Sequence, residues 1–127
     1  MPRQVIHSPH APQAVGPYSH AVRSGSLVFT SGQIPLDPAT GKLVDGSIDE
    51  QARRVMENLS AVLAAAGASF ASVVKTTIYL TNLADFSAVN AVYGSYFPSV
   101  PPARSTVQVA ALPLGAKIEI EAVAEVP

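Results

Sequence analysis

Residues 47–80 read SIDEQARRVMENLSAVLAAAGASFASVVKTTIYL, and a change of period inside this stretch decides the fold class. Its first part repeats apolar residues at helical intervals. Ala52, Val55, Met56, Leu59, Val62, Leu63 and Ala66 recur at steps of three or four residues with two adjacent pairs, which is one buried stripe on a long helix. Ser47-Ile48-Asp49-Glu50 opens that helix in capping-box form, Ser47 accepting a backbone N–H and Glu50 reaching back. Gly67 supplies a left-handed stop. The other side carries Arg53, Arg54, Glu57 and Asn58, with Arg53 and Glu57 one turn apart, and reads as a solvated face. Val73 to Leu80, VVKTTIYL, then turns to β-branched residues and reads as an interior strand with Val74, Thr76, Ile78 and Leu80 on one face.

Proline confirms where long helices can lie. Six of the eleven prolines fall between Pro2 and Pro38 and five between Pro98 and Pro127, so residues 39–97 are free of the residue that breaks helices. A second helix is predicted over Asp85 to Phe97, with Phe86, Val89, Tyr93, Tyr96 and Phe97 as its core stripe and Pro98 behind it. Upstream, Ser19 to Arg23 and Leu27 to Ser31 flank Ser24-Gly25-Ser26 as a hairpin, with a further short strand at Arg3 to His7. Downstream, Ser105 to Ala110 and Lys117 to Glu125 flank Leu112-Pro113-Leu114-Gly115 as a second hairpin. The expected fold is α+β: one mixed sheet with two helices on one face, in a single domain over residues 1–127.

Composition bounds the rest. Charged residues make up only 13% of 127 and hydrophobic ones 48%, so 17 charges must cover a small domain whose second sheet face has no helix of its own. A neighbouring copy is the expected cover. A net charge of −1 with no basic run longer than Arg53-Arg54 argues against nucleic acid and anionic membranes as partners. With no cysteine there is no disulfide, thiolate or cysteine metal site, and no stretch has the length of a signal core or a membrane span. A cytoplasmic protein is expected. Asn58-Leu59-Ser60 fits a glycosylation sequon but falls inside the first helix.

Nucleotide-loop, serine-elbow and zinc-protease motifs are missing. His7 and His10 have the spacing of a metal pair, but no Cys, Asp or Glu nearby completes a shell, so no metal is expected. Two places remain where chemistry could sit. Arg104 is the only charge in RSTVQVAAL, preceded by Val100-Pro101-Pro102-Ala103, with Thr106 and Gln108 on its face. It could be a rim salt bridge or the two-pronged holder of a carboxylate. Glu119 and Glu121 alternate with Ile118, Ile120 and Ala122, so both glutamates share a face. That face is either a solvent-exposed side of the sheet or one packed between copies, where a half-desolvated carboxylate could activate water.

These segments resemble the RidA (reactive intermediate deaminase A) or YjgF-like family from about Ala11 to Val126. The resemblance is carried by Gly16-Pro17-Tyr18-Ser19, Thr30-Ser31-Gly32-Gln33-Ile34-Pro35, and Pro102-Ala103-Arg104-Ser105 through Leu112-Pro113 to Ile118-Glu119-Ile120. It implies a chorismate-mutase-like fold, a homotrimer whose sheets form a barrel, and clefts at the subunit interfaces. It also implies hydrolysis of 2-imino acids such as 2-iminobutanoate and 2-iminopropanoate to 2-oxo acids and ammonia, without a cofactor. By the same resemblance Arg104 pairs with the substrate carboxylate and Glu119 positions water. Tyr18, Ser31, Gly32 and the main chain at Thr106 line the pocket, and Asn90 stands behind them. Thr106 departs from the cysteine of many relatives, and His20 from a glutamine. A non-catalytic binder of small carboxylates and a deaminase of a larger aminomuconate-type compound are the alternative readings, and a ribonuclease fits poorly with 8 basic residues.

Overall fold

The computed structural model describes residues 2–127. Six strands form one mixed sheet: β1 (Gln4–Ile6), β2 (Ala21–Ser24), β3 (Leu27–Thr30), β4 (Val73–Leu80), β5 (Ala103–Gln108) and β6 (Ile118–Glu125). They lie in the order β1-β2-β3-β6-β4-β5. All neighbours are antiparallel except β4 and β5. Helices α1 (Ile48–Ala65) and α2 (Phe86–Ser95) supply the links that antiparallel turns cannot, α2 carrying the chain between the two parallel strands.

Helix α1 starts where its sequence directs, but with half of the expected capping box: the Glu50 carboxylate lies 3.5 Å from the Ser47 hydroxyl instead of reaching the backbone. Ser47 is extended and its side chain accepts from the Glu50 N–H, satisfying one of the free donors of the first turn. Val55, Met56, Leu59 and Leu63 meet Ile78, Leu80, Ile118 and Ile120 of the sheet and Val89, Val92 and Tyr93 of α2 in one core. Both helices therefore cover the same face. The opposite face keeps Phe29 and Val107 at 46% and 42% exposure, among the glutamates and Tyr79.

The first hairpin, β2 to β3, is present, turning at Gly25 with φ of 63°. The second is not. β5 pairs parallel to β4, and β6 instead inserts between β3 and β4, while Pro113–Gly115 makes a 3-10 turn rather than a hairpin loop. Apolar alternation explains the difference: Ile118, Ile120, Ala122 and Ala124 are all buried, as a central strand requires, whereas the polar ARSTVQ of β5 suits an edge.

Three smaller expectations also change. Helix α2 starts only after a 3-10 turn at Leu83–Asp85 and ends at Ser95, short of Phe97. A bulge between Val73 and Lys75 shifts the β4 register, so Val73 faces the core in place of Val74. Asn58, expected in solvent, is wholly buried. No helix among the described residues is long and apolar enough to cross a membrane.

The bulge makes a prediction about two apolar side chains that strict alternation would have put on one face. Ile78→Ala should cost about 2–5 kcal/mol by denaturant unfolding, and Val74→Ala, at 39% exposure, less than about 1 kcal/mol. Equal losses would mean that both side chains face the core.

Candidate active site

A strand irregularity builds the first half of the site. Phe29 pairs with Val123, and Gln33 pairs with Ile120 through reciprocal backbone bonds of 2.9 and 3.1 Å. The chain takes four steps between these pairings on one side and three on the other, so one residue of Thr30-Ser31-Gly32 is extra and the segment bulges. Ser31 is pinned there by its hydroxyl, which donates to the Ser19 carbonyl at 2.6 Å. A hydroxyl so engaged is a fastener and not a nucleophile.

Gly32 lies against the Glu119 carboxyl. A Cβ at position 32 would stand 2.7 Å from Glu119 Cδ and 2.9 Å from Cγ, so only glycine leaves the carboxylate its place. Glu119, Gly32, Ser31 and Tyr18 line a cavity of about 330 Å³, walled also by Gln13, Val15, Ile34 and Pro113. Tyr18 Oη accepts from the Val15 N–H at 3.2 Å, which leaves its own O–H free to donate. Burial pushes the Glu119 carboxyl above the usual glutamate range, and the charge of Glu121 on the same face adds to the rise.

The second half lies elsewhere. Arg104 pairs with Thr76 in the β4–β5 register and sits on the helix side of the sheet. Its guanidinium carbon is 5.1 Å from the Tyr93 ring centre and 5.5 Å from that of Phe86. Tyr93 is itself fixed by a 2.7 Å bond between its hydroxyl and Thr76 Oγ1. Rings that hold the flat faces of a guanidinium leave its in-plane N–H groups directed outward, the arrangement that suits a two-pronged anion. Asn90 lies on α2 one turn beyond Phe86, and Thr106 follows Arg104 on the same side of β5. The buried Thr106 Oγ1 has no hydrogen-bond partner among the described residues.

A family sequence model described as endoribonuclease L-PSP matches residues 8–126. The chain belongs to this family, the RidA or YjgF-like proteins. It is 60% identical to protein DfrA of Myxococcus xanthus over 98% of this chain and 96% of that one. It is 50% identical to the human protein named 2-iminobutanoate/2-iminopropanoate deaminase, over 96% of this chain and 89% of that one. Among solved structures it superposes on Escherichia coli TdcF with bound serine at a TM-score of 0.93 and 44% identity, covering 98% and 99% of the two chains.

Of the RidA-type site residues read from sequence, the fold gathers Tyr18, Ser31, Gly32 and Glu119 and sets Arg104, Asn90 and Thr106 apart. Glu119 projects from β6 between the core-facing Ile118 and Ile120, while Arg104 leaves the edge strand toward α2, so one chain does not bring the two together. His7 and His10 are both exposed, and among the described residues no three His, Cys, Asp or Glu are gathered as a metal site would need.

One supporting residue escaped the sequence reading. Asn58 Nδ2 donates to the carbonyls of Leu36 at 2.9 Å and Ile34 at 3.3 Å, and its Oδ1 accepts from Arg54 Nε at 3.1 Å. Helix α1 thereby holds the loop that walls the cavity. An amide beside a helical stripe gives no signal that separates this role from a solvated one.

Two outcomes follow for Glu119. By carboxyl carbon NMR it should titrate above the ordinary glutamate value, and Glu121→Gln should lower its midpoint by removing a neighbouring charge; an unmoved midpoint would rule out that coupling. Gly32→Ala should displace the carboxylate and alter its titration while changing unfolding free energy by less than about 1 kcal/mol.

Proposed function

We propose that the protein hydrolyses small 2-imino acids to 2-oxo acids and ammonia, in an active site shared between copies of a homotrimer with a chorismate-mutase-like fold. The observation that carries the reading is Glu119: a half-buried carboxyl with raised pKa at the wall of a cavity, in a chain half identical to a protein named for this deamination. Water activated by Glu119 adds to the imine carbon and leaves its proton on the carboxylate. With the imine nitrogen protonated at the start, the proton on the carboxylate passes to nitrogen; the carboxylate then takes the remaining hydroxyl proton as the C–N bond breaks, the C=O bond forms and ammonia departs. A carboxylate whose pKa is raised by burial takes a proton and returns it more readily than an ordinary glutamate, and an imine is electrophilic enough to need no cofactor.

Substrate orientation requires an anion holder, and Arg104 with the main chain at Thr106 suits that task. Both stand beside the open edge of the sheet. Docking the β5 edge of one copy beside the Glu119 cavity of the next would complete the site and cover the apolar residues of the open face. With 8 basic residues against 9 acidic ones, a carboxylate the size of an imino acid is a better match than a polyphosphate chain, despite the nuclease in the family's description.

A second reading is a carboxylate-binding protein without turnover, favoured by the serine described as bound to TdcF. The ammonia released from enzymatically generated 2-iminobutanoate separates the two.

Three 13.2 kDa chains should elute as one particle by light scattering. Arg104→Lys should lower kcat/KM by about 10²–10³, since an ammonium keeps charge but not the fork. Glu119→Gln should keep 2-oxobutanoate binding while losing on the order of 10²–10⁴ in rate. Refolding Arg104→Ala together with Glu119→Gln should restore about a quarter of wild-type activity, because random mixing returns intact partners at that frequency. No recovery from the mixture would overturn the sharing of one site between copies.

A further inference from the structure

We propose that His20 is a positioning residue for the Glu119 cavity, a neutral imidazole that latches one wall shut and releases it when protonated. The latch is geometric, so it does not depend on which carboxylate the cavity takes. His20 is 4% exposed and both ring nitrogens are engaged. Nδ1 receives the Ser8 backbone N–H at 2.9 Å, and Nε2 lies 2.8 Å from the Pro12 carbonyl oxygen. An N–H can only donate and a carbonyl can only accept, so Nδ1 is bare and Nε2 carries the proton. The neutral ring in one tautomer is the only form that satisfies both.

These two bonds close a strap. Residues 8–12 are drawn onto the sheet, and the chain that leaves them supplies Gln13, Val15 and Tyr18 to the cavity wall. The His20 main chain ties the other wall, its carbonyl accepting from the Ser31 N–H at 2.9 Å at the bulge that carries Gly32. One residue thus spans both sides of the cavity that holds Glu119.

Protonation at Nδ1 sets two donors face to face. The Ser8 N–H loses its acceptor in a buried place and the strap is pushed away. The side cavity beside the ring does not offset the new charge. His7 meets it edge-on with centroids 5.6 Å apart, and Tyr18 lines the same side cavity. That cavity's lining has no Asp, Glu, Lys or Arg among the described residues. A charge on this ring would therefore open the wall.

Glutamine is the control, because a side-chain amide offers one acceptor and one donor and does not titrate. The Ser8 amide protection factor and the Tyr18 ring resonances are read by NMR at about pH 7.5 and 5.5 in wild type, His20→Gln and His20→Ala, with 2-oxobutanoate affinity by calorimetry. Wild type should lose Ser8 protection at least about tenfold on acidification and shift Tyr18, while His20→Gln holds both steady and recovers the binding that His20→Ala loses. Glu119 titrates in all three proteins, so the difference between the profiles isolates His20. Ser8 protection that falls equally in His20→Gln overturns the latch, as does wild-type protection that does not fall. Loss of protection with Tyr18 unmoved overturns the positioning role. If wild type binds no 2-oxobutanoate at either pH, the carboxylate reading fails alone, and Ser8 and Tyr18 still decide the latch.

Discussion

Strand β6 is the member against which the rest of the molecule is registered. It pairs with β3 on one side and β4 on the other, and its residues alternate without interruption between the two faces. Ile118, Ile120, Ala122 and Ala124 give the helices a surface to pack on, so the position of Glu119 on the other face follows from the same alternation. A slip of one residue would bury two glutamates under α1 and expose the isoleucines. The site and the core are therefore specified by a single register. The reciprocal bonds between Gln33 and Ile120 extend that control to Gly32, which must sit beside the glutamate once β6 is in place.

Polar groups are spent on holding walls as much as on facing a ligand. Ser31 fastens the bulge, Asn58 fastens the Ile34–Leu36 loop from below, and His20 fastens the strap. Each bond satisfies a backbone group that a loop close to the core could not give to water. Arg104 shows the complementary economy. Two aromatic rings restrain it without using its N–H groups, so the charge is held in place with those donors unspent on the rings.

The elements with strong periodicity were legible in the sequence. The α1 stripe with its Ser47 cap, the β2–β3 hairpin around Gly25 and the β6 alternation all appear where the pattern puts them, because each depends on local spacing and burial. What pattern cannot carry is pairing across distance. Nothing local says that β6 leaves β5 and inserts between β3 and β4, since the Pro113–Gly115 turn reads as a hairpin loop until a central strand claims the segment. The inversion of Val73 and Val74 by a bulge, and the burial of Asn58, are likewise set by tertiary partners. For the candidate site, alternation singled out Glu119 and the family resemblance alone added Tyr18, Ser31 and Gly32; the fold gathers the four around one cavity, while the separation of Arg104 from them required the sheet order.

The place of β6 has a consequence during synthesis. It is the strand that follows all the others in the chain, yet it occupies the middle of the sheet. Until Ile118–Glu125 emerges from the ribosome, β1-β2-β3 and β4-β5 are two separate ribbons whose inner edges, β3 and β4, lack their partner. Exposed edges of this kind invite pairing with other nascent chains. Slow translation of the segment before β6 would lengthen that interval, and a chaperone that shields strand edges would serve this protein most in the moments before its synthesis reaches Ile118.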